Sequence, residues 1–383
     1  MQPTWETIRC KKCKSWVKMK IIKIDALMVT IPLNQPIKMG GILYTESENI
    51  LARIELDNGV VGWGEAPSAP TMTGETAPSM KAAIEYLAPF LLNKDPSNFL
   101  ENMSLVDKLL YGNSSAKAAL EIGFFDAVGN STKKTMSELM GGQRRNRAPV
   151  LWMLATGTLP EDNEEAKVKM DEGFSAFKIK VGGSNIDNDI DRARKIRDIA
   201  GNKIQISADA NQAWSLEEGK KFAESAGAFL DFIEQPVMGN NLEGMAEIAL
   251  VSRAPIGADE GLHSLDDISR HREMGSASGG SLKMIKLGGV LKALNATKLC
   301  DSLDMKVNLA GKVCESSIGS AAVSHLAATA AQIDWGLSIT NQYAKIDLVK
   351  NPINVLNGEV CVPEGYGLGV EVDEDKVLSL ART

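Results

Sequence analysis

Ala176-Phe177-Lys178-Ile179-Lys180-Val181 is a short β-rich run that carries two lysines where a buried parallel strand should be apolar throughout. Similar runs follow it. Ile204-Gln205-Ile206-Ser207-Ala208-Asp209 ends in an acid, as do Phe232-Ile233-Glu234 and Ile256-Gly257-Ala258-Asp259, and a further run reaches Lys283. The polar positions Lys180, Asp209, Glu234, Asp259 and Lys283 stand 29, 25, 25 and 24 residues apart. Stepping on by about 25 residues lands in 305–310 and then in 333–338, and one βα unit of a closed eight-stranded barrel has roughly this length. Amphipathic Lys/Glu/Ala-rich stretches, such as 160–173 and 187–200, separate the runs. A leucine-rich solenoid has a similar period, but no Leu/Asn template recurs and each unit spells its strand differently. The expected class is therefore α/β with a parallel barrel, whose strand C-terminal ends converge on one mouth.

Side chains alternate across a strand, so Phe177, Ile179 and Val181 face the outer helices while Lys178 and Lys180 both point into the barrel. An exposed edge strand would also accommodate two lysines, but the neighbouring strands offer acids. Asp209, Glu234 and Asp259 on three adjacent strand ends would repel one another strongly without a cation. Oxygen-only ligands select a hard divalent ion, Mg²⁺ or Mn²⁺. Lys283 and Lys286 have opposite parity on the sixth strand, which leaves room for only one of them in the lumen, and Gly288-Gly289 permits a tight turn into the next helix. Such an ion can bind a substrate carboxylate and stabilise the negative charge of an enediolate when the α-carbon loses its proton. Lysines on the second and sixth strands approach that carbon from opposite sides.

Before the barrel the texture differs. Lys20-Ile21-Ile22-Lys23-Ile24-Asp25 reads as a strand, 50–56 alternates apolar and polar residues, Asp57-Asn58-Gly59 is a hairpin turn, and 60–63 returns. Residues 75–140 show helical spacing, with Ala116, Leu120, Phe124 and Ala127 three or four apart. Strands followed by helices make an α+β unit. The expected layout is a disordered leader over 1–18, an α+β capping domain over 19–146, the barrel over 147–350, and a C-terminal segment over 351–383.

The 383 residues carry 42 basic and 49 acidic side chains, a formal net charge of −7, with 44% hydrophobic and 24% charged residues. That is an ordinary globular composition. No apolar run approaches the roughly 18 residues of a membrane span, and the acidic balance with scattered Lys and Arg argues against nucleic-acid binding. Five cysteines, an odd and mostly dispersed number, do not suggest a secreted disulfide framework. With no signal-peptide segment at the start, a cytoplasmic location is expected. Cys10 and Cys13 form a CxxC that could be half of a zinc site, but no second Cys or His pair lies nearby.

Together these motifs resemble the enolase superfamily and, within it, the muconate lactonizing enzyme (muconate cycloisomerase) subgroup. The resemblance runs from Met19 to Thr383 and implies a modified (β/α)7β TIM-type barrel with an α+β capping domain. Lys178-Ile179-Lys180 is similar to the subgroup's KxK. Asp209-Ala210-Asn211-Gln212-Ala213-Trp214, Glu234-Gln235-Pro236 and Asp259-Glu260 are similar to its three metal-ligand motifs, and Lys283 with Gly288-Gly289 to its opposite-face lysine. By that likeness Lys180 is the principal acid/base, Lys178 its electrostatic partner, and Lys283 the lysine on the other face. Asn211 and Glu260 would orient Lys283 and the metal ligands. Glu315, in Cys314-Glu315-Ser316-Ser317-Ile318-Gly319, matches a glutamate after the seventh strand of muconate cycloisomerases. The C-terminal Pro363-Glu364-Gly365-Tyr366-Gly367-Leu368-Gly369 resembles the return to the cap.

Departures narrow this reading. Mandelate racemases use a His after the seventh strand, whereas Val307-Asn308-Leu309-Ala310-Gly311 has none, and His263, His271 and His325 fall elsewhere. Dipeptide epimerases carry Asp-x-Asp on the eighth strand, and the run here is Asp334-Trp335-Gly336. The resemblance implies Mg²⁺ or Mn²⁺, a small carboxylate substrate, no nucleic-acid or membrane partner, and a homo-oligomer, dimer or octamer. Cycloisomerisation leads. Racemisation or epimerisation of an N-substituted amino acid or proline betaine, syn-dehydration of the o-succinylbenzoate synthase or hydroxyproline dehydratase type, and a non-catalytic binding barrel are the alternatives. Specificity is expected in cap loops 34–45 and 66–76, over the mouth.

Overall fold

The computed structural model of the chain describes residues 19–39, 42–183 and 185–382. The leader, including Cys10 and Cys13, lies outside the described residues. So do Gly40 and Gly41 in the first cap loop.

The cap begins as an antiparallel meander of three strands, Ile21–Met39, Ile42–Leu56 and Val61–Pro67, with Gly59 at φ 81° in the hairpin turn. The first strand runs far beyond residue 25, past two prolines. Its pairing slips from Pro32 opposite Glu46 to Ile37 opposite Tyr44, and its other neighbour, Ala381–Arg382, pairs only at Met28 and Val29. Pro32 and Pro36 thus sit at a bulge on an edge whose only further partner among the described residues is a short antiparallel bridge, Leu33 to Ala344, in which the Pro32 carbonyl accepts the Lys345 N–H at 2.8 Å and no proline N–H is needed.

Three helices, Ala77–Leu91, Phe99–Leu109 and Ser114–Thr132, complete the cap. Ala116, Leu120, Phe124 and Ala127 lie on the last of these, which is buried all round from Ser115 to Gly129 rather than along one stripe. Its charged residues find internal partners. Lys117 Nζ reaches Asp107 (3.0 Å) and the Leu110 carbonyl (2.6 Å), and Asp126 accepts the N–H groups of Trp63 (2.8 Å) and Leu368 (2.9 Å). Gly64 lets the sheet approach this helix, since a Cβ there would stand 1.9 Å from the Ala119 carbonyl oxygen.

Eight parallel strands form the barrel: Leu151–Leu154, Ala176–Lys180, Gln205–Asp209, Phe232–Glu234, Ile256–Ala258, Gly279–Leu282, Lys306–Ala310 and Leu337–Ser338, paired in sequence order. A parallel bridge between Val150 and Leu337 joins the last strand to the first. Seven helices alternate with the strands: Leu159–Asp171, Ile186–Ala200, Leu216–Ala226, Leu242–Val251, Leu265–Glu273, Val290–Ser302 and Ser317–Thr329. This is the expected (β/α)7β order. The eighth strand takes up only the end of 333–338, and Trp335 just before it fills the barrel floor. It stacks on Phe232 at 4.1 Å and 8°, with Leu151 and Ala176 beside it. Such a stacked pair adds about 0.5–1.5 kcal/mol beyond area burial.

After the barrel Val355–Leu356 pairs with Glu359–Cys361, which pairs in turn with Arg147–Pro149, and the chain then returns to the cap through Gly367, Leu368 and the Ala381–Arg382 strand. No helix among the described residues is long and apolar enough to cross a membrane.

Candidate active site

The polar residues that interrupt the apolar runs fall where the period places them. Lys180, Asp209 and Glu234 are the last residues of their strands, and Asp259 and Lys283 each follow the last residue of theirs. Parallel register sets Lys180 beside Asp209 and Asp209 beside Glu234. The second strand is anchored from outside. Arg192, held by Asp162 (2.9 Å) and Asp189 (3.0 Å), donates to the Lys180 carbonyl at 2.8 Å.

The Asp209, Glu234 and Asp259 side chains are buried, and one oxygen from each lies within 4.8 Å of the others. Each also faces an ammonium. Lys180 Nζ is 2.6 Å from Asp209, Lys178 Nζ is 2.5 Å from Glu234, and Lys283 donates to Asp259. Burial opposes charge on all of these groups. Lys180 and Lys178 nevertheless hold Asp209 below the usual carboxylate range, and Lys283 and Lys286 hold Asp259 well below it. For Glu234, burial outweighs Lys178 and the carboxyl is raised. Lys178 and Lys283 are raised despite burial, by Glu234 and Asp209 in one case and Asp259 in the other. A buried, oxygen-only donor set of this spacing fits a hard divalent cation.

Asn211 ties the centre together. Its Oδ1 accepts from Lys180 Nζ (2.8 Å), its N–H donates to Asp209 (2.9 Å), and its Nδ2 donates to Glu260 (3.0 Å). The Glu260 carboxyl is pushed up to about 7, first by burial and then by the charges of Asp259 and Asp209. Asn211 therefore orients Lys180 and a carboxylate of the triad, while Glu260 meets Lys283 only through its field.

Of the two lysines only Lys283 lines the cavity, but Lys286 does not turn to the outer helices as alternation along a strand would have it: its Nζ donates to Asp259 Oδ1 (2.6 Å), the Asp259 carbonyl and the Ser281 carbonyl (2.9 Å). The parity rule does not apply, because the strand stops at Leu282 and Met284–Leu287 is a helical turn that swings Lys286 back beneath Asp259. Gly288 (φ 80°) and Gly289 (φ 138°) then make the expected tight turn.

A cavity of about 440 Å³ opens above the centre, lined by Lys178, Lys180, Asp209, Asp259, Glu260 and Lys283, with Leu151, Met153, Met238 and Ile339 as apolar wall. Ile42, Tyr44, Thr71 and Met72 of the two expected cap loops border it. Glu315 does not line it. The side chain is buried behind Gly311, where a Cβ would stand 2.3 Å from Glu315 Oε2, and it accepts the Lys312 N–H at 3.0 Å. His271 and His325 are buried on structural hydrogen bonds to Ser276 and to the Leu368 carbonyl, and His263 is exposed.

Three further residues were missed by sequence reasoning. Gln235 is buried and accepts the N–H of Asp259 (2.8 Å) and Gly261 (3.1 Å), fixing the fifth strand's end. Its place directly after Glu234 was the available signal. Tyr343 lines the cavity and donates no sequence pattern, and Lys312 stands just after the seventh strand, where a polar residue could have been flagged by the same period that found the others.

Comparison with known proteins agrees with this architecture. The N-terminal domain model of the mandelate racemase / muconate lactonizing enzyme family matches residues 21–141, and the enolase C-terminal domain-like model matches 161–376. Muconate cycloisomerase 1 of Acinetobacter baylyi is 31% identical over 366 residues, covering 94% of this chain and 99% of its own. N-succinyl-L-Arg/Lys racemase of Bacillus cereus is 29% identical over 370 residues, covering 94% and 98%. The crystal structure of muconate lactonizing enzyme from Pseudomonas fluorescens complexed with muconolactone matches with a TM-score of 0.92 at 28% identity, covering 95% of this chain and 100% of its own. With both domain models matched and the strand-end motifs drawn into one buried centre, the chain belongs to the muconate lactonizing enzyme subgroup of the enolase superfamily and is an isomerase.

Proposed function

We propose that the protein is a divalent-metal-dependent isomerase of the muconate cycloisomerase type that moves the α-proton of a small carboxylate substrate. The observation that carries this is one buried cluster of Lys178, Lys180, Lys283 and the Asp209, Glu234, Asp259 triad, whose three lysines, Asp209 and Asp259 line the cavity. The three acids would hold Mg²⁺ or Mn²⁺, which when bound supplies a site for the substrate carboxylate and stabilises the negative charge of an enediolate. Lys180 is the group that takes or delivers the proton, steered by Asn211 at 2.8 Å. Lys178, paired with Glu234, contributes a fixed positive charge beside it. Lys283 reaches the same carbon from the sixth strand. Apolar residues of the wall and the cap loops exclude water while the proton moves.

A second reading, racemisation or epimerisation, is favoured by one specific feature: two lysines, Lys180 and Lys283, approach the triad from different strands, as proton transfer on both faces of a carbon requires. The similarity to a racemase of N-succinyl-L-Arg/Lys supports keeping it.

The test is α-proton exchange in D₂O, followed by NMR over a panel of cis,cis-muconate, N-succinyl amino acids, dipeptides and proline derivatives. Wild type exchanges the α-proton of at least one of them. EDTA abolishes exchange, and Mg²⁺ or Mn²⁺ restores it. Persistence of exchange in the Lys180→Ala, Lys283→Ala double variant removes the proposed bases, and full activity after chelation removes the metal.

A further inference from the structure

We infer that Ser281, in the interior of the barrel, is a positioning residue that holds the Glu234 carboxylate in place for the divalent ion. The inference rests on the metal-binding reading of the triad and deepens it.

Asp209 and Asp259 line the cavity, whereas Glu234 does not and is 1% exposed. Its carboxylate must therefore be oriented by protein groups from beneath rather than by solvent. Each of the other two acids has such support: Asp209 accepts the Asn211 N–H (2.9 Å), and Asp259 accepts from Lys286 (2.6 Å). For Glu234 the uncharged donor is Ser281, whose Oγ lies 2.8 Å from Oε1. With Oε1 held there, Oε2, 2.5 Å from Lys178 Nζ, is the oxygen left for an ion.

The sixth strand, Gly279–Leu282, builds this from the floor upward. Gly279, Ser281 and Lys283 share one side of it. A Cβ at Gly279 would stand 2.7 Å from the Trp335 ring, so that position faces the floor, Ser281 lies one layer above, and Lys283 reaches the mouth. Asn308 stands opposite Ser281 in the strand register and is fully buried. It donates to the Trp335 (3.1 Å) and Gly336 (2.9 Å) carbonyls, which spends both Nδ2 hydrogens and turns its Oδ1 toward Ser281 Oγ at 3.0 Å. The Ser281 hydroxyl has one hydrogen for two acceptors, and the carboxylate is the stronger of them. Barrel interiors are filled mainly by branched apolar side chains, and a buried Ser and Asn cost free energy unless their hydrogen bonds are used. Here they join the eighth strand, through the seventh and sixth, to one acid of the triad.

The test is Mn²⁺ binding to the full chain without substrate, read by electron paramagnetic resonance of free Mn²⁺ and by calorimetry. Wild type holds one ion that Asp209→Asn loses. Ser281→Ala weakens this site by about tenfold or more, the usual cost of removing a partner that orients a metal ligand. Ser281→Cys, matched in shape but a weak donor, also weakens it and decides the case if the alanine variant fails to fold by circular dichroism. Ser281→Thr retains the hydroxyl and most of the affinity. Ser207→Ala is the control for a merely structural role: Ser207 is a buried serine of the third strand whose hydroxyl donates to the Phe177 carbonyl (3.3 Å), and its loss leaves the ion bound as in wild type. Wild-type affinity in the folded Ser281 variants that lack the hydroxyl, or an equal loss in Ser207→Ala, overturns the assignment. A wild type that binds no ion at the triad is the distinct failure of the metal reading, and it overturns the role of Ser281 with it.

Discussion

Lys286→Met isolates the lysine that supports Asp259 from beneath without lining the cavity. The side chain is 1% exposed, and methionine keeps its length while removing the ammonium. Three acceptors then lose a donor: Asp259 Oδ1, the Asp259 carbonyl and the Ser281 carbonyl. Removing one partner from a buried ion pair is destabilising by about 3–5 kcal/mol, and the stranded carbonyls keep the effect within that range even though Asp259 retains Lys283. An unfolding entropy of about 2.1 cal/mol/K per residue gives roughly 0.8 kcal/mol/K for the chain, so the melting temperature should fall by about 4 to 6 °C. Lys283→Met is the control. Lys283 has one carboxylate partner and borders the cavity, where water can replace it, so a fall of about 1 to 2 °C is expected together with loss of α-proton exchange. Differential scanning calorimetry of both variants in metal-free buffer reads the contrast. If Lys286→Met melts within a degree of wild type, or Lys283→Met falls as far as it does, the buried role assigned to Lys286 is wrong.

Other consequences are equally direct. A Cβ at Gly279 would stand 2.4 Å from the Lys306 carbonyl oxygen and 2.7 Å from the Trp335 ring, so Gly279→Ala should destabilise the barrel by about 1–3 kcal/mol in urea titration; an unmoved midpoint would remove Trp335 from the floor. Burial raises the Glu121 carboxyl from 4.5 to about 7, although it accepts the Val290 and Leu291 N–H groups. The native state thus holds a proton there that the unfolded chain releases, and this contribution to stability, present below pH 4.5, is lost as pH rises through 7. Glu121→Gln should therefore flatten the pH dependence by up to about 3 kcal/mol between pH 4.5 and 7.5. Denaturation midpoints at those two pH values give the difference, and parallel profiles in variant and wild type would contradict it.

Much of the site could be read from residues alone because its chemistry is periodic. Lys180, Asp209, Glu234, Asp259 and Lys283 each occupy the end of a strand, and strand ends of a parallel barrel are equivalent positions. The cap was less legible. Its first strand passes through Pro32 and Pro36, which local rules treat as breakers, and the bulge there, with a neighbour at 344–345 that uses the Pro32 carbonyl rather than an N–H, makes them acceptable. The spacing of Ala116, Leu120, Phe124 and Ala127 indicated a helix but not that Lys117, Glu121 and Asp126 on it are buried as well. Nothing local announces that, since their partners lie on other segments, Asp107 on the preceding helix and Val290 and Leu368 far along the chain.

The order of residues by itself determined the repeat, the acids it carries and the pair of lysines on the second strand, because alternation and a fixed unit length are properties of a chain read in one dimension. Tertiary structure alone decided that Val150 meets Leu337 to join the sheet's two ends, that a turn at Met284–Leu287 swings Lys286 under Asp259, and that Lys312 comes to line the cavity. Each of these depends on where separate segments end in space, and charge balance at a buried point is a sum over neighbours that sequence distance does not reveal.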